Sequence, residues 1–297
     1  MCFINVKDKV IEFETGNVLI GSVSRLYMSN KCLLIADHKS VDKQIHIFNK
    51  NDFSYLTSIG NFGEGPEEIT VMGCLAIDEA HHQLYVSDHA KQKIFSYDMD
   101  SVMVDSLYKP QVKTAMNETL FPSEYQYIND TLSIAVLIKP TSTSTFNQFL
   151  GRWNMNTGEM IPMKYTHPDI QKKRITFAAS EKAGIYVECY TRHDLMTICS
   201  LDGELLYNIY GPDWDGGNGN KLQSFGTVMI GNDKIFVSYC GEDYARDSFP
   251  TKILVFDLEG NYLKTLETGY KISDCCYDSF NNRIILSLND VVQFAYL

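Results

Sequence analysis

A short apolar run recurs through the chain at a nearly fixed interval. It reads LLIAD, LYVSD, LSIAV, IYVEC, IFVSY and IILSL, starting at Leu33, Leu84, Leu132, Ile185, Ile235 and Ile284. The successive spacings are 51, 48, 53, 50 and 49 residues. A period of this size marks a chain built from copies of one supersecondary unit, each burying its apolar face against the next. Two stretches display the unit most plainly: CLLIADHKSVDKQIHIFNKNDFSYLTSIG from Cys32, and QLYVSDHAKQKIFSYDMDSVMVDSLY from Gln83. Each has an apolar run ending in Asp-His, a polar loop, an alternating strand ending in an aromatic, a polar turn and another strand. In KIFVSY and QIHIF, apolar residues fall on every second position, the period of a strand.

Six such units without helical periodicity predict an all-β fold: a six-bladed β-propeller with four-stranded blades, as one domain over 1–297. The blades are expected at approximately 20–60, 72–108, 124–165, 174–210, 225–267 and 271–297, the last completed by 9–15. In the second unit strand A is GCLAID, B is QLYVSD, C is KIFSYD and D is VMVDSLY. YDMDS, NMNTGE, SLDGE and DLEGN read as hairpin turns between strands C and D, because Gly and Asn accept positive φ. The sixth unit, ISDCCYD, RIILSLN and VVQFAYL, lacks a fourth strand, whereas KVIEFETG near the N-terminus is spare. Val10 to Glu14 is therefore expected to pair with the last blade and close the ring, leaving no long exposed edge. Tyr108 to Tyr125 reads as a long connection where strand D hands over to strand A.

Composition narrows the functional classes. Thirty-seven acidic against 26 basic residues give a net charge of −11. Nucleic-acid binding rests on Lys and Arg neutralising phosphates, so a nucleic-acid partner is not expected. Eight cysteines lie mostly in apolar runs such as KCLLIA and IYVECY, with no C-x-x-C pair. They read as buried free thiols acting as small hydrophobes. The opening MCFINVKDKVIEF has neither a basic n-region nor a long apolar h-region, and no transmembrane segment is visible. As written, the chain reads as soluble and cytoplasmic. Cys2 keeps one alternative open, a cell-envelope lipoprotein whose signal lies upstream of this sequence.

The stretch SIGNFGEGPEEIT, Ser58 to Thr70, could be scored as a degenerate phosphate loop. A helix must follow such glycines so that amides and dipole meet at the phosphate. Here an alternating run follows, and Gly65-Pro66-Glu67 stands where Gly-Lys-Ser/Thr would be needed. The stretch reads instead as the connection from the first blade to the second. IGNFGEGPEEITVMGCLAIDEAHHQLYVSDHAKQKIFSYDMD resembles an NHL-type propeller repeat, and the whole chain resembles the six-bladed, TolB-like propellers common in Bacteroidetes genomes. In these a Gly-x-Gly-Pro-Gly-Glu phrase recurs between blades; here it reads Gly63-Glu64-Gly65-Pro66-Glu67-Glu68. The resemblance implies the fold and little about function, since such propellers include enzymes, receptors and scaffolds.

Propeller connectivity places the B–C and D–A loops on one face, around the mouth of a central channel. Those B–C loops carry Asp37, His38, Asp88, His89, Lys139, Arg192, His193, Asp194, Glu242, Asp243, Asn289 and Asp290. Convergent polar groups at a channel mouth are the default binding site. Three histidines and several carboxylates there could hold a divalent cation. Asp37 and Asp88 also have a structural reading, as strand-end carboxylates that hydrogen-bond the following turn. His38 and His89 are expected to be solvated, and His81 and His82 exposed on the opposite face. Arg192, His193 and Asp194 depart from the pattern of the other units. The D–A connection YGPDWDGGNGNKLQSFG places Trp214 between Asp213 and Asp215, where it could stack on a sugar or hold a cation. No G-x-S-x-G signature is present. The expected function is a binding or scaffold propeller presenting a protein, peptide or carbohydrate site on this face. The alternative is a metal-assisted, lactonase-like hydrolase or lyase at the channel mouth.

Overall fold

A computed structural model describes residues 2–218, 222–246 and 248–297. Contacts divide the chain into two compact units, Thr15–Pro162 and Met1–Glu14 with Met163–Leu297. The fold is all-β: six sheets of at least four strands each, the blades of a six-bladed propeller. Within each blade the neighbouring strands from A to D pair antiparallel.

The first unit holds blades 1 to 3. Blade 1 comprises Ser24–Met28, Cys32–Asp37, Lys43–Asn49 and Tyr55–Asn61. Blade 2 comprises Met72–Asp78, Gln83–Asp88, Lys93–Asp98 and Gln111–Ala115. Blade 3 comprises Phe121–Asn129, Leu132–Pro140, Phe146–Trp153 and Met160–Pro162. Strands B and C are buried on both faces, as CLLIAD and KQIHIF show, so the apolar run is nearly continuous there. Leu34, Ile45, Ile47, Leu84, Val86 and Phe95 form the core between blades 1 and 2.

The second blade departs from its expected form. VMVDSLY is not strand D: Met99–Val102 is a short helix, and strand D is Gln111–Ala115, inside the stretch expected to be a connection. Asp98 causes the change. Its side chain accepts the Ser101 amide at 2.7 Å, an N-cap that turns the chain helical where a hairpin would continue the ladder. Val102 is then buried in the core, while Val104 and Leu107 are left exposed.

The other unit holds blades 4 to 6. Blade 4 comprises Ile175–Ser180, Ile185–Tyr190, Leu195–Ser200 and Leu205–Tyr210. Blade 5 comprises Leu222–Gly231, Lys234–Asp243, Lys252–Asp257 and Tyr262–Glu267. Blade 6 comprises Ile272–Asp278, Arg283–Leu288 and Phe294–Tyr296, completed by Ile11–Glu12. The N-terminal pairing expected from sequence is present: Ile11 opposes Tyr296 and Glu12 opposes Ala295. Phe13 stacks on Phe294 at 5.9 Å. An additional strand, Phe3–Asn5, runs parallel to Tyr262–Glu267 as the outer, fifth strand of blade 5.

All eight cysteines are free, and all except Cys2 are buried. Burial pushes the Cys74 and Cys199 thiols up to about 11, so they pack as hydrophobes rather than react. Among the described residues, no helix is long and apolar enough to cross a membrane.

Candidate functional site

In the first unit the glycine-rich loop has the polarity opposite to a phosphate cradle. The Lys91 ammonium donates to the carbonyl oxygens of Gly65 at 2.6 Å and Glu68 at 2.5 Å, and reaches Gly63 at 3.5 Å. The Gly65 amide is taken by the Glu68 carboxylate at 2.8 Å. Carbonyls thus face an internal cation, and the loop is a structural joint between blades.

Asp37 and Asp88 are also committed to structure. Asp37 accepts the amides of Gly21 at 2.7 Å and Lys39 at 2.9 Å. Asp88 accepts those of Thr70 at 2.8 Å and Ala90 at 3.0 Å, among others. Each carboxylate ties the incoming D–A connection to its own B–C turn.

The neighbouring histidines are half-buried, not solvated as expected. Burial holds both below the ordinary 6.5, and the Arg25 charge adds to this for His38. Gly73 makes the burial of His89 possible: a Cβ there would meet Nε2 at 2.1 Å. The His89 ring also meets Phe121 edge-on at 4.8 Å. Close by, Arg25 and Glu124 join strands A of blades 1 and 3 through two hydrogen bonds of 3.0 and 3.5 Å. Lys139 lies within strand B of blade 3 and is exposed.

In the second unit the sequence-predicted residues gather more closely. Glu242 and Asp243 end strand B of blade 5. Glu242 lies 3.9 Å from Arg246, and Asp243 accepts the Ala245 amide at 2.9 Å. Asp194 is buried, which raises its carboxyl, and accepts the Asp213 amide at 3.0 Å. This bond draws the D–A connection of blade 4 inward, and Gly211 permits it, since a Cβ there would strike the Asp194 carboxylate. Of the expected loop Tyr210 to Gly226, residues 219–221 lie outside the described residues.

Four side chains form an aromatic cluster where that loop folds back. Trp214 lies 5.0 Å from Tyr210, 5.3 Å from His167 and 6.1 Å from His193, ring centre to ring centre. His167 accepts the Asp169 amide at Nδ1, so Nε2 carries the proton and donates to the Tyr210 hydroxyl at 3.0 Å. Burial keeps both histidines below 6.5, so both rings are neutral at pH 7.

Beside this cluster several buried polar atoms have no hydrogen-bond partner: Arg192 Nε, His193 Nδ1, Asp215 Oδ1 and Ser224 Oγ. His193 is 5% exposed and Ser224 1%. His193 Nδ1 and Asp215 Oδ1 are 4.0 Å apart, beyond hydrogen-bond reach. The Ser224 amide bonds the Thr191 carbonyl at 2.9 Å, which fixes Ser224 beside the Arg192 loop. The Arg192 guanidinium lies over the Tyr244 ring at 3.9 Å. Native proteins leave few buried polar groups unsatisfied, so these groups call for a water, an ion or a ligand to complete them. Sequence reasoning singled out Arg192, His193 and Trp214, but not Ser224 or Tyr244, which come from the next blade.

Among the described residues, the group of His and carboxylate atoms within 4.8 Å of one another is Asp78, His81 and Asp130. It lies on A–B turns of blades 2 and 3. There His81 Nδ1 already pairs with Asp78 at 2.8 Å, and Asp130 accepts the Tyr127 hydroxyl at 2.7 Å. Asp278 holds Asn281 in the same way in blade 6, so the turn is a structural motif of the repeat.

Residues 4–149 match the model of a family described as DUF5128, 6-bladed beta-propeller. No curated protein matches the chain in sequence. Solved structures resemble it in fold at low identity. A DUF4221-family protein from Bacteroides vulgatus has a TM-score of 0.64 at 10% identity, covering 96% of this chain and 94% of that one. The Cps50 (Swd1) propeller of Myceliophthora thermophila scores 0.60 at 9% identity, covering 97% and 98%. The protein U3-55K scores 0.62 at 10% identity, covering 97% and 96%.

Proposed function

We propose that this propeller is a binding module with its ligand site between the B–C loop of blade 4 and the start of blade 5. Its ligand is a protein, a peptide or a glycan. The observation that carries the reading is the set of unpartnered buried atoms on Arg192, His193, Asp215 and Ser224, next to the aromatic cluster of Trp214 and Tyr210. A ligand that supplies the missing hydrogen bonds would recover the desolvation cost those groups now carry. The site is built mostly on loops, with Ser224 and Tyr210 in the flanking strands of blades 5 and 4. The NHL- and TolB-like sequence character is in keeping with such a role, as is a cytoplasmic place or, alternatively, one in the cell envelope.

The test is a glycan and peptide array probed with the native protein and with His193→Ala and Trp214→Ala. Hits that both variants lose support the reading. Hits that both variants keep place binding elsewhere and overturn it.

A further inference from the structure

We propose, building on the binding-module reading, that the site takes an acidic sugar: a pyranose whose carboxylate is held by Arg192 and whose hydroxyls are held by Asp215 and His193.

The chain has 37 acidic residues against 26 basic ones, yet among the described residues no carboxylate pairs with Arg192. Its guanidinium is instead stacked on Tyr244 at 3.9 Å, with Nε–H buried and lacking an acceptor. A stacked guanidinium is a pre-oriented fork, and carboxylate is the group that matches the fork's spacing.

An anion alone would not suit the site, because Asp215 Oδ1 stands there as a buried acceptor without a donor. The ligand must bring donors as well as negative charge. A sugar acid does both within one ring, since its hydroxyls donate to Asp215 while its carboxylate accepts from Arg192. His193 Nδ1 adds a polar position 4.0 Å from Asp215, and the Ser224 hydroxyl is a further buried group without a partner.

The exposed aromatic side chains favour a ring over an extended peptide. Tyr244 is 53% exposed and Tyr210 49% exposed, the first carrying Arg192 on its face and the second packed against Trp214 and His167. Half-open rings beside hydrogen-bonding groups suit the apolar C–H face of a pyranose, which needs a flat apolar surface and polar groups at its rim.

The source is either a free sugar acid or one residue of an acidic polysaccharide, and calorimetry at low ionic strength separates them. The probes are glucuronate, galacturonate, oligogalacturonate, neutral galacto-oligosaccharide and a glutamate-rich peptide. The expected result is binding of a uronate probe without binding of the neutral oligosaccharide. Equal affinity for monomer and oligomer assigns a single sugar acid; binding of the oligomer alone assigns a polysaccharide. Arg192→Gln should weaken binding about tenfold or more, the scale of a lost charge-assisted hydrogen bond. Arg192→Lys should fall between, since it keeps the charge and loses the fork. Thermal melting of each variant checks that it folds. Binding of the neutral sugar or of the peptide through the same residues overturns the sugar-acid assignment and leaves the binding module standing. If no probe binds and the array finds no ligand dependent on His193, both readings fail.

Discussion

The Lys91 ammonium lies 2.6 Å from the Gly65 carbonyl oxygen, inside the loop that joins the first two blades. The same ammonium serves Glu68 at 2.5 Å and lies 3.8 Å from Asp88. Lys91→Met keeps the apolar stem and removes the donor, leaving those carbonyls unpaired. The expected cost is about 1–3 kcal/mol, read as a lower urea midpoint with an unchanged slope. Full retention of stability would mean that water replaces the ammonium without loss.

Lys173 and Glu188 form a buried ion pair at 2.7 Å, and Tyr190 adds its hydroxyl to Glu188 at 3.0 Å. Lys173→Met strands a carboxylate out of water and should destabilise by about 3–5 kcal/mol. Lys173→Met with Glu188→Leu should recover part of that loss. Recovery stays incomplete because the Tyr190 hydroxyl loses its acceptor. Chemical denaturation of both variants checks the order.

Burial holds His38, His46, His89, His167 and His193 below 6.5. In the unfolded chain each takes up a proton near 6.5; in the native protein each does so only at lower pH. Between those values the unfolded state binds more protons, so stability rises with pH. The stabilisation is fully present above about pH 6.5 and is lost as pH falls through the native values. His81 has the opposite sign, because Asp78 raises it, but its exposed ring makes it a small counterweight. Urea midpoints should therefore fall between about pH 7 and pH 5.5. His46→Gln should flatten that slope, and an unchanged slope would contradict the assignment.

The two N-terminal strands should differ in weight. Phe3–Asn5 lies on the outer edge of blade 5, with Phe3 itself exposed. Ile11–Glu12 completes blade 6 and is followed by Phe13, which is buried on Phe294. Removing residues 2–5 should lower the melting temperature modestly. Removing 2–13 also deletes the buried side chains of Val6 and Phe13, each worth about 1.5–3 kcal/mol, and should cost several times more. Equal losses would mean that the outer strand carries the stability.

What the sequence made legible followed from periodicity. Two-residue alternation gave the strands, and the recurring apolar run gave the number of blades. The missing fourth strand of the last unit pointed to Val10–Glu14 as its partner. The helix at Met99 was hidden because Val102 and Val104 alternate like a strand, and the deciding bond, Asp98 to Ser101, is a single cap. Phe3–Asn5 is too short to show a period. The burial of His89 depends on Gly73 and Phe121, which belong to other strands. For the same reason Arg192 and His193 stood out locally, whereas Tyr244 and Ser224, brought to them by the next blade, did not.

The N-terminal segment bonds to two adjacent blades in succession, first alongside Thr265–Glu267 and then alongside Ala295–Tyr296. A pulling force applied at that end therefore meets two short ladders in series. The outer, parallel one carries the load first and can yield while blade 6 keeps its fourth strand. Mechanically the segment is a two-stage fastener, with a sacrificial stitch ahead of the one that matters for the fold.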